Sequence, residues 1–254
     1  MKKIVTILFL FIGVGNISAQ DSTKSCKYKY NNYYDLAFSL GKKEVVGAIS
    51  WSHLHGIGNK KQRFKIGYGL RVTSYYGYSA GKFYTTAPSK YTSPIQGPTT
   101  IFSETIEKNI DTIAFANPQV NSINISINLQ YSLRKKIELG FNIDAIGLSF
   151  GAKQSASILS SVYDPGQPYL LNAKPTTLNL LLTSDNDIGS LNSEFYLRYW
   201  LTEKIGIRAG YTFYFSEYRT SQSLSFDNGR IQNDRFRLKS SLFMLAISYR
   251  PFTK

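Results

Sequence analysis

The stretch Ile123-Asn124-Ile125-Ser126-Ile127-Asn128-Leu129-Gln130-Tyr131-Ser132-Leu133 carries an apolar or aromatic residue at every odd position and a polar one at every even position. A strand sends alternate side chains to opposite faces, so this segment has one greasy face and one wet face. After the short basic turn Arg134-Lys135-Lys136 the pattern resumes in Ile137-Glu138-Leu139-Gly140-Phe141-Asn142-Ile143-Asp144-Ala145, and the two runs together read as one long hairpin. The same alternation returns elsewhere. Phe64, Ile66, Tyr68, Leu70 and Val72 oppose Lys65, Gly67, Gly69 and Arg71. Ile205, Ile207, Ala209, Tyr211, Phe213 and Phe215 oppose Gly206, Arg208, Gly210, Thr212 and Tyr214, while Phe195, Leu197 and Tyr199 face away from Glu194, Tyr196 and Arg198.

A repeat of the form apolar-x-apolar-Gly-aromatic follows a basic turn at Phe64 to Tyr68, Ile137 to Phe141 and Ile207 to Tyr211. Its glycines fall on the polar face, where strands of a narrow barrel leave little room for side chains. Composition agrees with strands rather than spanning helices: mean hydropathy is −0.20, yet 15% of residues are aromatic, among them 19 Tyr. The chain opens with Lys2 and Lys3, an apolar run Ile4 to Val14, and the small residues of Ser18-Ala19-Gln20. That order reads as a secretory signal peptide over residues 1–20, leaving 21–254 as one exported domain. Beyond it no apolar segment is long enough for a transmembrane helix. Cys26 is preceded by Ser22-Thr23-Lys24-Ser25 rather than by a lipidation signal, and as a lone cysteine it forms no internal disulfide.

Connection lengths order the strands. Gly56 to Gln62, Arg134 to Lys136 and Thr202 to Lys204 are short, whereas Ser79 to Gln119, Gly151 to Ser190 and Arg219 to Asp234 are long. Outer-membrane barrels have short periplasmic turns, long outer loops and an even strand number. Strands are therefore expected to rise near Tyr33–Leu40, Phe64–Tyr78, Ile137–Phe150 and Ile205–Tyr218, and to descend near Val45–Leu54, Val120–Leu133, Leu191–Trp200 and Phe236–Pro251. This predicts an all-β, eight-stranded, antiparallel up-and-down transmembrane β-barrel with long extracellular loops and both termini periplasmic. The final strand alternates Phe243, Leu245, Ile247 and Tyr249 and ends near Phe252, like the aromatic-ended signal read by the barrel-assembly machinery. Leu242, Met244 and Ala246 make its other face apolar as well, which suggests a bulge there.

The hairpin Ser122 to Phe150 and the stretch from Ser184-Asp185-Asn186-Asp187-Ile188-Gly189-Ser190 to Tyr211 resemble small outer-membrane β-barrel proteins of the Bacteroidota, a family of unassigned chemistry. The resemblance covers most of the exported chain. It implies a cell outer-membrane location in a Gram-negative envelope and transfers no catalytic residues.

The formal net charge is +14, but no nucleic-acid-binding motif is present and export argues against such a partner. The excess falls largely at the expected periplasmic end, in a basic rim of Lys60, Lys61, Arg63, Arg134, Lys135 and Lys136, which points to anionic lipid head groups as partners or to a solvated edge. No catalytic residues, no metal and no cofactor are expected. His53 and His55 are spaced to share a strand face but lack an evident third ligand, and they map to the periplasmic end, away from any outer-leaflet chemistry. The polar faces instead predict a charge network inside the barrel, with Glu138, Asp144 and Glu194 facing Lys65, Arg71, Arg198 and Arg208. Unpaired charge is costly in such a place, so these groups should pair across a packed interior. Tyr84-Thr85-Thr86-Ala87-Pro88 and Asp164-Pro165-Gly166-Gln167-Pro168 read as turn-rich surface loop. The expected role is a non-enzymatic envelope barrel that is structural or binds a ligand or envelope protein through its outer loops. The rivals are a barrel subunit of a secretion or uptake machine and an outer-membrane lipid-modifying enzyme.

Overall fold

The computed structural model describes residues 31–58, 62–78, 82–94, 106–159, 170–182, 186–226 and 231–251. The expected signal peptide 1–20 lies outside these residues, as do Lys60, Lys61, Phe252 and Asp164 to Pro168. Among the described residues thirteen strands, all antiparallel to their partners, form one sheet. Eight are long: β1 (Asn31–Gly41), β2 (Glu44–Ile57), β3 (Phe64–Gly77), β6 (Gln119–Arg134), β7 (Ile137–Phe150), β11 (Leu191–Trp200), β12 (Ile205–Phe226) and β13 (Ile231–Tyr249). Their pairings run β1 to β2 to β3 to β6 to β7 to β11 to β12 to β13, and β13 pairs again with β1 through Tyr34 opposite Tyr249.

Side-chain alternation decides which face is covered. Leu36, Phe38, Ile49, Leu70, Ile125, Phe195, Tyr211 and Phe243 are exposed on the outside, while their neighbours Asp35, Ser50, Arg71, Asn124, Glu194, Thr212 and Leu242 point to the interior. The second hairpin strand holds one correction to simple alternation. Asp144 opposes Ser126 and Ile146 opposes Ile125, so Ala145 is an extra residue, a bulge. The bulge shifts the parity of β7, and Ile146, Leu148 and Phe150 join the outward face although they sit at even positions. By contrast β13 pairs regularly from Arg235 to Tyr249, so the bulge expected there is absent. Its inner face is apolar because Met244 and Ala246 pack against Ala37, Ala48 and Tyr196.

The remaining five strands correct the expectation of eight strands with irregular outer loops. β4 (Lys82–Thr86) and β5 (Thr112–Phe115) lie within Ser79 to Gln119, together with a short helix α1 (Ser89–Thr92). Within Gly151 to Ser190 lie β8 (Gln154–Ile158), β9 (Leu170–Pro175) and β10 (Leu178–Leu180). Most of Arg219 to Asp234 is strand too, because β12 and β13 continue past the other strands with a register shift between Arg219 and Leu224. Strands that outrun their neighbours expose unpaired backbone edges. The short strands cover them: β4 pairs with β13, β5 with β4, β8 with β5, β9 with β8, and β9 with β12. Because β12 and β13 also pair with each other, these six strands close a second ring of pairings at the long-connection end. Its interior is apolar, built from Tyr84, Ile113, Phe115, Val120, Ala156, Ile158, Leu171, Ala173, Tyr218, Leu224 and Phe236.

Candidate functional site

The interior of the long-strand ring is a stack of charged and aromatic layers. At the short-turn end, Tyr33, Leu54 and Trp200 form a small apolar floor. Lys65 lies on it, donating to the Tyr33 hydroxyl at 3.0 Å and pairing with Glu138 at 3.5 Å. Arg198 comes next, with its guanidinium 4.7 Å from the Tyr33 ring centre and 5.4 Å from that of Trp200. It pairs with Glu138 at 3.3 Å and with Asp35 at 3.1 Å, and donates to Gln130 at 2.9 Å and to Ser248 at 2.9 Å. Arg208 shares Asp35 from above at 2.9 Å, lies 3.7 Å from the centre of the Tyr196 ring, and pairs with Glu194. Arg71 closes the stack, 3.5 Å from Asp144 and 3.9 Å from Glu194, and donates to Asn142 and to the Asn192 carbonyl. Asp144 also accepts from Asn124 at 2.7 Å and from the Asn192 backbone amide at 3.0 Å.

All seven residues expected in the interior network lie in it. Asp35 was not among them, although it bridges two arginines. Its signal is present in the sequence, since Tyr33, Asp35, Ala37 and Ser39 alternate against Tyr34, Leu36, Phe38 and Leu40. The interior strand positions also leave space where it is needed: a β-carbon at Gly140 would clash with the hydroxyl edge of the Tyr196 ring, which lies across the wall beside it. Above the arginines, Glu44 accepts from Tyr75 at 3.0 Å and Ser240 at 2.8 Å and pairs with Lys82 at 2.8 Å. Tyr75 stacks on Tyr214 at 5.1 Å.

The second ring then seals the stack. Tyr84, expected in a surface turn, is fully buried in β4, edge-on to Phe115 at 5.0 Å and to Tyr218 at 5.4 Å. Burial pushes its phenol well above the usual value, so it stays neutral and hydrogen-bonds Ser216 at 2.9 Å. A further ionic cluster sits on the outer side of the same strands. Glu217 meets Arg235 at 2.9 Å and Arg237 at 2.9 Å, and both arginines donate to the Asp187 carbonyl. Alternation alone puts Glu217 on the greasy face with Phe213 and Phe215, which is why sequence reasoning missed it. The segment from Asn186 to Ser190 shelters it, with Gly189 donating its amide to Glu217 at 3.2 Å.

His53 and His55 point outward from β2, their ring centres 4.5 Å apart, beside Trp51 and Tyr68. His53 is hydrogen-bonded to Asn32 at 2.7 Å. The rim residues Arg63, Arg134, Lys135 and Lys136 are exposed at the short-turn end. No helix among the described residues is long and apolar enough to cross a membrane.

No protein family and no curated protein sequence matches the chain. Among solved structures it is similar to Neisserial surface protein A, at 10% identity and a TM-score of 0.37, over 87% of this chain and 96% of that one. It is similar to the Yersinia pestis outer membrane protein Ail in a phospholipid bilayer nanodisc, at 10% identity and a TM-score of 0.35, over 87% and 99% of the two chains. A Pseudomonas aeruginosa FadL homologue is similar at 12% identity and a TM-score of 0.21, over 81% of this chain and 68% of that one.

Proposed function

We propose that the protein is an integral outer-membrane β-barrel whose eight long strands span the membrane, with both termini periplasmic, and that it acts without catalysis, as a structural or binding element of the envelope. The observation that carries this reading is the sidedness of the ring of pairings from β1 to β13: an apolar outer face and an ion-paired inner one. The dimensions support it. Ile205 to Phe215 of β12 advances ten residues at about 3.3 Å each, and with a tilt near 40° this climbs about 25 Å, the height of the apolar band of such barrels. The four interior cations Lys65, Arg71, Arg198 and Arg208 are all held in ion pairs, which supports a packed interior rather than an aqueous channel; open porins use about sixteen strands. The histidines lie outside this interior and at its far end from the second ring, which favours binding over lipid hydrolysis. Alkaline extraction of cell envelopes tests the reading. The protein should stay with outer membranes and change its gel mobility on boiling, and recovery as a soluble monomer without detergent would end the proposal.

A further inference from the structure

Between the start of β8, β9 and the upper part of β12 an open cleft of about 300 Å³ is lined by Lys153, Asn172, Lys174, Arg219, Thr220 and Ser221 around the apolar Ala173. Three cations, the Asn172 amide and the Ser221 hydroxyl converge there, a donor-rich set that suits a tetrahedral oxyanion. The strand pairing holds two of the cations side by side, since Arg219 lies opposite Lys174. Among the described residues the anion recorded against this set is Asp234, which pairs with Arg219 at 3.1 Å. Among the described residues the three cations of the cleft outnumber that one carboxylate. Thr220 is buried, and its hydroxyl is turned to the Gln222 carbonyl at 2.7 Å, so the exposed donors are the cations, Asn172 and Ser221.

The height of the cleft says where its ligand comes from. Arg219 lies four residues above Phe215, about 10 Å beyond the edge of the apolar band by the same rise and tilt. Asn172 and Lys174 alternate with the buried Leu171, Ala173 and Pro175, so they project away from the apolar core of the second ring. The set therefore faces sideways over the bilayer rim, at head-group level, and not into the lumen. We propose that this cleft binds the phosphate ester of a lipid head group in the outer leaflet. The height argument rests on the outer-membrane reading above; the oxyanion chemistry does not.

The test uses the full-length mature protein, folded in detergent and in neutral-lipid nanodiscs with or without a phosphorylated glycolipid of the lipid A type. Native mass spectrometry should show the phosphorylated glycolipid retained by wild type. K153Q/K174Q/R219Q should retain at least tenfold less, while keeping its heat-dependent gel shift. K42Q/K43Q, exposed in the β1–β2 turn and outside the cleft, should bind as wild type does. Inorganic phosphate titrated into the detergent sample separates the two sources of the group: displacement of lipid by phosphate identifies the phosphate itself as the recognised feature, and phosphate binding without lipid retention reassigns the cleft to a free anion. Equal retention of a dephosphorylated glycolipid, or undiminished retention by the triple variant, overturns the proposal. Failure of the protein to enter outer membranes would instead sink the reading under Proposed function, and the phosphate titration in detergent would still decide the cleft.

Discussion

Asp35 illustrates what one buried carboxylate does in this interior. It holds Arg198 at 3.1 Å and Arg208 at 2.9 Å, and it accepts from the Ser248 hydroxyl. Removing one partner of a buried pair strands the other charge, at a cost of about 3–5 kcal/mol. Asp35→Asn is therefore expected to lower the urea midpoint of the heat-modifiable form by that equivalent, whereas the exposed Glu203→Gln should leave it unchanged. Gly140 tests packing in the same layers. Gly140→Ala must displace the Tyr196 ring from its place beside Arg208, and overpacking of this kind costs about 1–3 kcal/mol. A midpoint equal to wild type would mean that the ring moves freely. The seven interior charges were legible because each sits at an even position within a clean alternation, or at the odd positions Lys65 and Arg71 of β3, where the phase is reversed. Glu217 was not legible, because its shelter comes from a segment about thirty residues earlier in the chain, and alternation carries no information about such coverage.

At the scale of elements, period-two patterning located every long strand to within a few residues at most ends, since the two faces of the long-strand ring differ in polarity, apolar outside and ion-paired within. It stopped working where both conditions end. The upper parts of β12 and β13 and the short strands β4, β5, β8 and β9 meet an apolar interior rather than a polar one, and the short strands have too few residues for a period to emerge. Turn-forming residues around Tyr84 then dominated the reading. The second ring has its own core, which makes a separable prediction. Phe115→Ala removes a ring packed at 4.4 Å from Tyr218 and is expected to cost about 3–5 kcal/mol within that ring. Protease added to intact cells should then cleave within residues 82–115, while the fragments of the long-strand ring keep their gel shift. Cleavage spread through the long strands would show that the two rings do not have separate cores in energetic terms.

For the whole molecule the stacked lumen and the sealed second ring predict electrical silence. Reconstituted protein is expected to give no steady conductance in planar bilayers, and a stable open level in wild type would contradict the packed interior. The basic rim should act on insertion rather than on the finished fold. Each cation near an anionic surface contributes about 1 kcal/mol before screening, so neutralising Lys60, Lys61, Arg63, Arg134, Lys135 and Lys136 should slow assembly into anionic bilayers and leave assembly into neutral ones unaltered. Equal rates in both would leave the rim as a solvated edge. The tall hairpin of β12 and β13 has a further consequence, one of timing. It forms a common wall: β1 and β11 flank it below, β4 and β9 flank it above. It also follows the other described strands in chain order, and Tyr34 must wait for Tyr249 before the lower ring shuts. Loops this long close late and at an entropic cost that only the finished contacts offset. Neither ring can close without this hairpin, so the docking of one pair of strands commits both at once.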